Sequence, residues 1–164
     1  MSEFERVVEL YNAFPQQFRS IVLSTVTDHG QPHASYAPFV MDLSKNVYIF
    51  ISGLSAHTAN LKGRGQASVL FIEDESKTEQ IFARRRLAYD CSAQVIARDD
   101  GQWGAIATQF EDRFGNIIDV LKGLADFEIF QLRPESGRFV VGFGAAYRIS
   151  GENLDTLEPV TGSK

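Results

Sequence analysis

The chain has 164 residues, 44% of them hydrophobic and 23% charged, with a formal net charge of −5. That length predicts one domain with a sizeable core, and the acidic balance excludes a nucleic-acid binder that tracks the phosphate backbone, which needs a basic face. Cys91 is the single cysteine, which excludes an internal disulfide framework; with no apolar run near 18 residues and no signal-peptide pattern, the expectation is a soluble, cytoplasmic protein without a membrane partner.

Residues 2–14 read as an amphipathic helix, with Phe4, Val7, Val8 and Tyr11 at i, i+3, i+4, i+7 spacing and a Ser2/Glu5 capping box. Pro15 stops it. From Ile21 the period becomes strand-like: IVLSTVT, a turn at Asp28-His29-Gly30, and the return strand QPHASYAPFVMD. After a turn at residues 43–46, VYIFIS forms a strand, SGLS leads into a short helix at SAHTANL, and ASVLFIED returns as a strand. Residues 81–99 read as one long strand, with Leu87, Tyr89, Cys91, Ala93 and Val95 facing the core. Arg84, Arg86, Asp90, Ser92 and Gln94 face away, and Arg85 lies at the rim. Residues 102–122 carry a helical stripe broken near Gly115, which suggests two short helices. FEIFQLRP is a strand, Glu135-Ser136-Gly137 is a turn, and RFVVGFGAAYRI is the last strand, with Gly142 and Gly144 expected to admit a close neighbour. Residues 151–164 read as a polar, mobile tail.

These elements give six or seven strands, mostly joined by hairpins, with helices at the periphery. The fold class is mainly β: a small antiparallel barrel, with residues 1–150 as its single domain. Thirteen Phe and five Tyr suit such a core or an interface.

Neither phosphate-binding glycine fingerprint is present, and His29, His33 and His57 lack the paired short spacing of a metal site, so no metal is expected. Cys91 alternates with core residues and reads as inert packing. What remains is an anion site in pieces. The helix start at Ser55, Ala56, His57 and Thr58 projects unpaired N–H groups; Ser55 either caps it or helps hold a ligand. His33, Ala34, Ser35 and Tyr36 lie on the preceding hairpin strand. Arg84 and Arg86 repel one another unless an acid, an anion or a partner neutralises them, and Asp90 and Glu73 are the available acids.

The succession PHASYAPF, SGLSAHTANL, ASVLFIED and RRRLAYDCSAQVIARD resembles the FMN-binding split β-barrel superfamily that includes pyridoxamine 5′-phosphate oxidase. SAHTANL and LADFEIFQLRPESGRFVVGFGAAYRI are most similar to its haem-utilisation branch, of the HugZ/HutZ type. The resemblance covers about residues 15–150 and implies a split β-barrel homodimer with ligand sites built from both chains. It implies FMN as cofactor, with Ser55, His57 and Thr58 at the phosphate, Ser35, Tyr36 and Ser52 near the ribityl chain or ring, and Arg84 and Arg86 neutralising the phosphate. The protein would then be an oxidoreductase acting on a small-molecule substrate, with no catalytic acid or base identified. Ser55, Ala56 and His57 stand where the flavin members carry Ser-Arg-Lys, and Ser35 stands where they carry an arginine. The alternative is a haem-binding or haem-degrading protein, with the propionates on the arginine pair. Asp126 would match an acid that assists the haem site. Haem-degrading members use a histidine near the C-terminus as iron ligand, whereas this chain has no histidine after His57, leaving Tyr147 and His57 as substitutes. A third alternative is a binding module that kept the barrel without a cofactor.

Overall fold

A computed structural model describes residues 1–161. In chain order it contains α1 (Glu3–Ala13), β1 (Ser20–Val26), β2 (Pro32–Met41), β3 (Val47–Ser52), α2 (Ala56–Arg64), β4 (Gln66–Ile72), β5 (Arg86–Ile96), α3 (Trp103–Phe114), α4 (Ile117–Lys122), β6 (Phe127–Gly142), β7 (Ala145–Ser150) and β8 (Thr156–Pro159). The sheet order is β3-β2-β1-β4-β5-β6-β7-β8, and an added β3–β6 pairing closes the first six strands into a barrel. Each pairing is antiparallel.

The barrel is split along β6. Its first half, Phe127 to Leu132, pairs with β3, and its second half, from Gly137, pairs with β7, while β5 accompanies it from Ile129 to Val140. The β5–β6 register shifts at Asp90/Cys91, where Glu135 is the extra residue on β6. A Cβ at Gly137 would stand 2.7 Å from both Ala88 O and Tyr89 Cδ1, so only glycine fits where the two strands press together.

Two cores explain the sequence periods. The barrel interior holds Leu23, Phe39, Phe71, Tyr89, Phe130 and Phe139, and α1 contributes Val7 and Tyr11. A second core lies outside β3 and β6, where Ile106 and Phe110 of α3 and Ile118 of α4 cover Tyr48, Phe50 and Ile129. β3 is therefore buried on both faces, which is why VYIFI is uniformly apolar rather than alternating. Burying each such side chain contributes about 1.5–3 kcal/mol.

Several expectations hold. The Ser2/Glu5 capping box forms in both directions, and Gly115 separates two helices. Others are corrected. β5 begins only at Arg86, because Ile81–Ala83 winds into a 3-10 turn whose Phe82 N–H is held by the Gln80 side chain. Glu135-Ser136-Gly137 makes no hairpin: β6 continues through it, since Ser136 and Gly137 pair with β5 and Gly137 also with β7, and Glu135 is the extra residue at the register shift. The hairpin falls instead at Gly142–Ala145, with Gly144 at φ +71°, and a Cβ at Gly142 or Gly144 would meet nothing within 4 Å. Up to Pro159 the expected tail is an eighth strand, anchored by buried Leu154 and Leu157. The final residues, 162–164, lie outside the described residues.

Candidate functional site

The loop from β3 into α2 is stapled from three sides. Ser52 Oγ donates to Asp126 Oδ2 at 2.9 Å and accepts from the Leu54 N–H. Gly53 N–H donates to Asp126 O at 2.7 Å, and a Cβ on Gly53 would come within 2.9 Å of that carbonyl oxygen. Thr58 Oγ1 donates back to Ser52 O at 2.5 Å. Thr58 and His57 are buried, and His57 Nδ1 lies 2.9 Å from Ser35 Oγ on β2. Desolvation, and secondarily the nearby His33, holds the His57 imidazole below its ordinary pKa. Ser55 occupies the N-cap position, yet its side chain makes no capping hydrogen bond.

The fold thus gathers Ser35, Ser52, Ser55, His57 and Thr58 around the start of α2. The β3–β6 pairing adds Asp126, which sequence spacing alone could not have brought there. Tyr36 alternates to the opposite face of β2 and is 68% exposed.

Arg84 and Arg86 lie elsewhere in the chain's own fold. Ser35, Leu23, Val69 and Tyr89 form one cross-strand row, so Arg86 is three strands across and three residues along. That is about 14 Å by about 10 Å, and on the other face of the sheet. Arg84 Nε donates to Glu73 O, and its guanidinium lies 3.6 Å from the Glu75 carboxylate. The acid beside Arg84 is thus Glu75 rather than Asp90 or Glu73, whose carboxylate instead accepts from the Arg85 N–H. Arg85 Nε donates to Val141 O at 3.2 Å.

Arg86 donates to Arg84 O at 2.9 Å and lines a groove of about 400 Å³ with Arg138. Ala83, Gly142, Gly144, Ala145 and Ala146 keep that groove shallow. Phe82 and Phe143 flank it, 87% and 84% exposed. Among the described residues, neither Arg86 nor Arg138 is ion-paired with a carboxylate. Sequence reasoning missed Arg138, Phe82 and Phe143, because the first lay beyond an assumed turn and Phe82 within an assumed strand.

Among the described residues, no three His, Cys, Asp or Glu side chains converge on a point. Burial, followed by Asp90 and Glu135, pushes the Cys91 thiol up to about 12, which leaves it protonated and unreactive. Tyr147 packs against the barrel core. Among the described residues, no helix is long and apolar enough to cross a membrane.

A closed antiparallel six-strand barrel extended along one split strand, with a short helix stapled across its β3–β4 connection, is the pyridoxamine 5′-phosphate oxidase-like fold. The family model described as pyridoxamine 5′-phosphate oxidase matches residues 7–141, and the chain belongs to that family, in its haem-utilisation branch. It is 43% identical over 141 residues to the heme oxygenase HutZ of Vibrio cholerae, covering 86% of this chain and 80% of that one. The crystal structure of HutZ, there described as a heme storage protein, superposes with a TM-score of 0.73 at 39% identity, covering 77% of this chain and 89% of that one. ChuZ of Campylobacter jejuni superposes with a TM-score of 0.85 at 34% identity, covering 98% of this chain but only 64% of ChuZ.

Proposed function

We propose that this protein binds haem, as its similarity to HutZ suggests, and that the groove between Phe82 and Phe143 receives the porphyrin. One observation carries this reading: two arginines without an ion-paired acid, Arg86 and Arg138, stand beside two exposed phenylalanines over a floor of small residues. A porphyrin is flat and apolar with two carboxylates on one edge. The rings suit its faces, and the guanidiniums suit its propionates through charge-assisted hydrogen bonds. Haem, when bound, supplies an iron centre whose reactivity depends on its axial ligands. Among the described residues lining the groove there is no histidine, cysteine, methionine or tyrosine. The proposal is therefore binding through propionates and ring faces, and no haem-degrading step is assigned to these residues.

We also propose a homodimer. An outward row crosses the sheet through Tyr36, Val22, Leu70 and Ala88 to Arg138 and Arg148. Its apolar part suits a second copy, which would bring one chain's arginines towards the other chain's α2. Replacing Leu70 with Lys should convert a dimer to monomer in sedimentation at micromolar concentration. A wild-type monomer under the same conditions would end that idea.

Titration with haemin tests the ligand: a saturable Soret shift in the wild type, weakened in Arg86→Ala and Arg138→Ala, is expected. Absence of any shift in the wild type would reject haem binding. FMN is a second reading, favoured by the uncapped start of α2 with Ser55 free. Quenching of FMN fluorescence, lost in Ser55→Ala and in His57→Ala, would favour it over haem.

A further inference from the structure

The largest of the described cavities belongs to neither reading. About 540 Å³ in volume, it opens at the end of the barrel between α1, the β2–β3 turn and α3, and it reaches inward to Tyr11 and Tyr89. That volume is within the range of small-molecule sites. Both tyrosines are 1% exposed.

Hydrogen-bond accounting at its floor leaves one group unspent. Tyr11 Oη donates to Leu154 O at 2.7 Å. A phenol has a single proton, so the 2.6 Å contact between the two hydroxyls is Tyr89 donating to Tyr11. The Tyr89 oxygen then retains its acceptor capacity, and no donor among the described residues meets it. Burial keeps both phenols protonated, raising Tyr11 to about 12 and Tyr89 further still.

The mouth offers no free charge. Four donors occupy the Asp42 carboxylate: the N–H groups of Ser44 and Asn46, the Asn46 amide and the Tyr48 hydroxyl. Lys45 Nζ is spent on the carbonyls of Asn153 and Leu154 and on the Tyr11 ring. Carboxamides of Asn12, Gln16 and Gln109 line the rest, with Met41 and Leu43 as apolar wall. An ion entering here would lose its water without gaining a partner, which is costly, whereas a neutral donor would satisfy Tyr89.

We propose that this cavity binds a small neutral aromatic molecule bearing a hydroxyl, which donates to Tyr89 while its ring lies against Met41. The test uses the full-length protein with 13C-methyl methionine. The chain has two methionines, so Met41 reports the cavity and exposed Met1 serves as control. 2-Naphthol, neutral at pH 7, should shift Met41 saturably and leave Met1 unmoved, while the anion 2-naphthoate should shift neither. Tyr89→Phe should weaken naphthol binding about tenfold, as expected for losing one hydrogen bond to a buried acceptor. Should Tyr89→Phe not fold, Gln109→Trp, on the exposed face of α3, should block the mouth and abolish the shift. An unmoved Met41 up to the solubility limit overturns the proposal. So do equal shifts at Met1, equal binding of naphthoate, and undiminished binding by the folded variant.

Discussion

The start of α2 and the arginine groove are both polar regions of one barrel, and they are built in opposite ways. Around α2 nearly every side chain is committed internally: Ser52 to Asp126, Thr58 to Ser52 O, His57 to Ser35. In the groove Arg138 has no internal hydrogen-bond or ion-pair partner among the described residues, and Phe82 and Phe143 project into solvent. A committed network contributes to stability, and removing one member leaves others unsatisfied. A cluster whose arginines make only one internal hydrogen bond, Arg86 to Arg84 O, costs little to mutate and is free to meet a ligand. Chemistry-bearing residues near a motif are thus not automatically ligand-binding residues.

Variants can break this contrast. The largest expected effect is in the groove: replacing Arg86 and Arg138 together with Ala should weaken haemin binding about a hundredfold or more, while the melting temperature barely moves. Haemin titration and thermal melts of the same sample check both halves. Next comes Thr58→Val, which removes the donor to Ser52 O in a buried position and should cost about 1–3 kcal/mol in urea unfolding, with haemin affinity changed less than threefold.

A smaller effect concerns pH. The folded His57 has a pKa below its ordinary 6.5, so the unfolded chain binds more protons as the solution is acidified. The stability contributed by the neutral ring is complete above that ordinary value and is lost as pH falls below it. Between pH 7.5 and 5.5 the wild type should lose more thermal stability than His57→Gln; parallel curves would mean His57 titrates normally. The smallest effect is at Ser55. A working N-cap costs about 0.5–2 kcal/mol when replaced with Ala, but Ser55 makes no capping bond, so Ser55→Ala should leave stability within about 0.5 kcal/mol. A full capping loss would return Ser55 to a structural role.

Local pattern was sufficient wherever a single element decided the outcome. The capping box of α1, the break at Gly115, the core face of Leu87, Tyr89 and Cys91, and the short helix between two strands were all legible, because each depends on residues within a few positions. The family resemblance rested on the order of such segments, and it anticipated the barrel.

Tertiary structure decided what depends on neighbours distant in sequence. Glu135-Ser136-Gly137 has turn composition, yet pairing of Ser136 and Gly137 with β5, and of Gly137 with β7, keeps it extended, and Gly137 serves close packing against Tyr89 instead. The polar segment after Ser150 became a strand because the free edge of β7 was available to it. Most consequentially, the residues gathered by motif were divided between two places. Ser35, Ser52, Ser55, His57 and Thr58 share the start of α2, where Asp126 joins them across β3–β6. Arg86 joined Arg138 and two phenylalanines on another face, because strand alternation and a displacement of three strands outweigh nearness in a motif. The sequence by itself determined the elements and the barrel class; only the closed sheet decided which side chains meet.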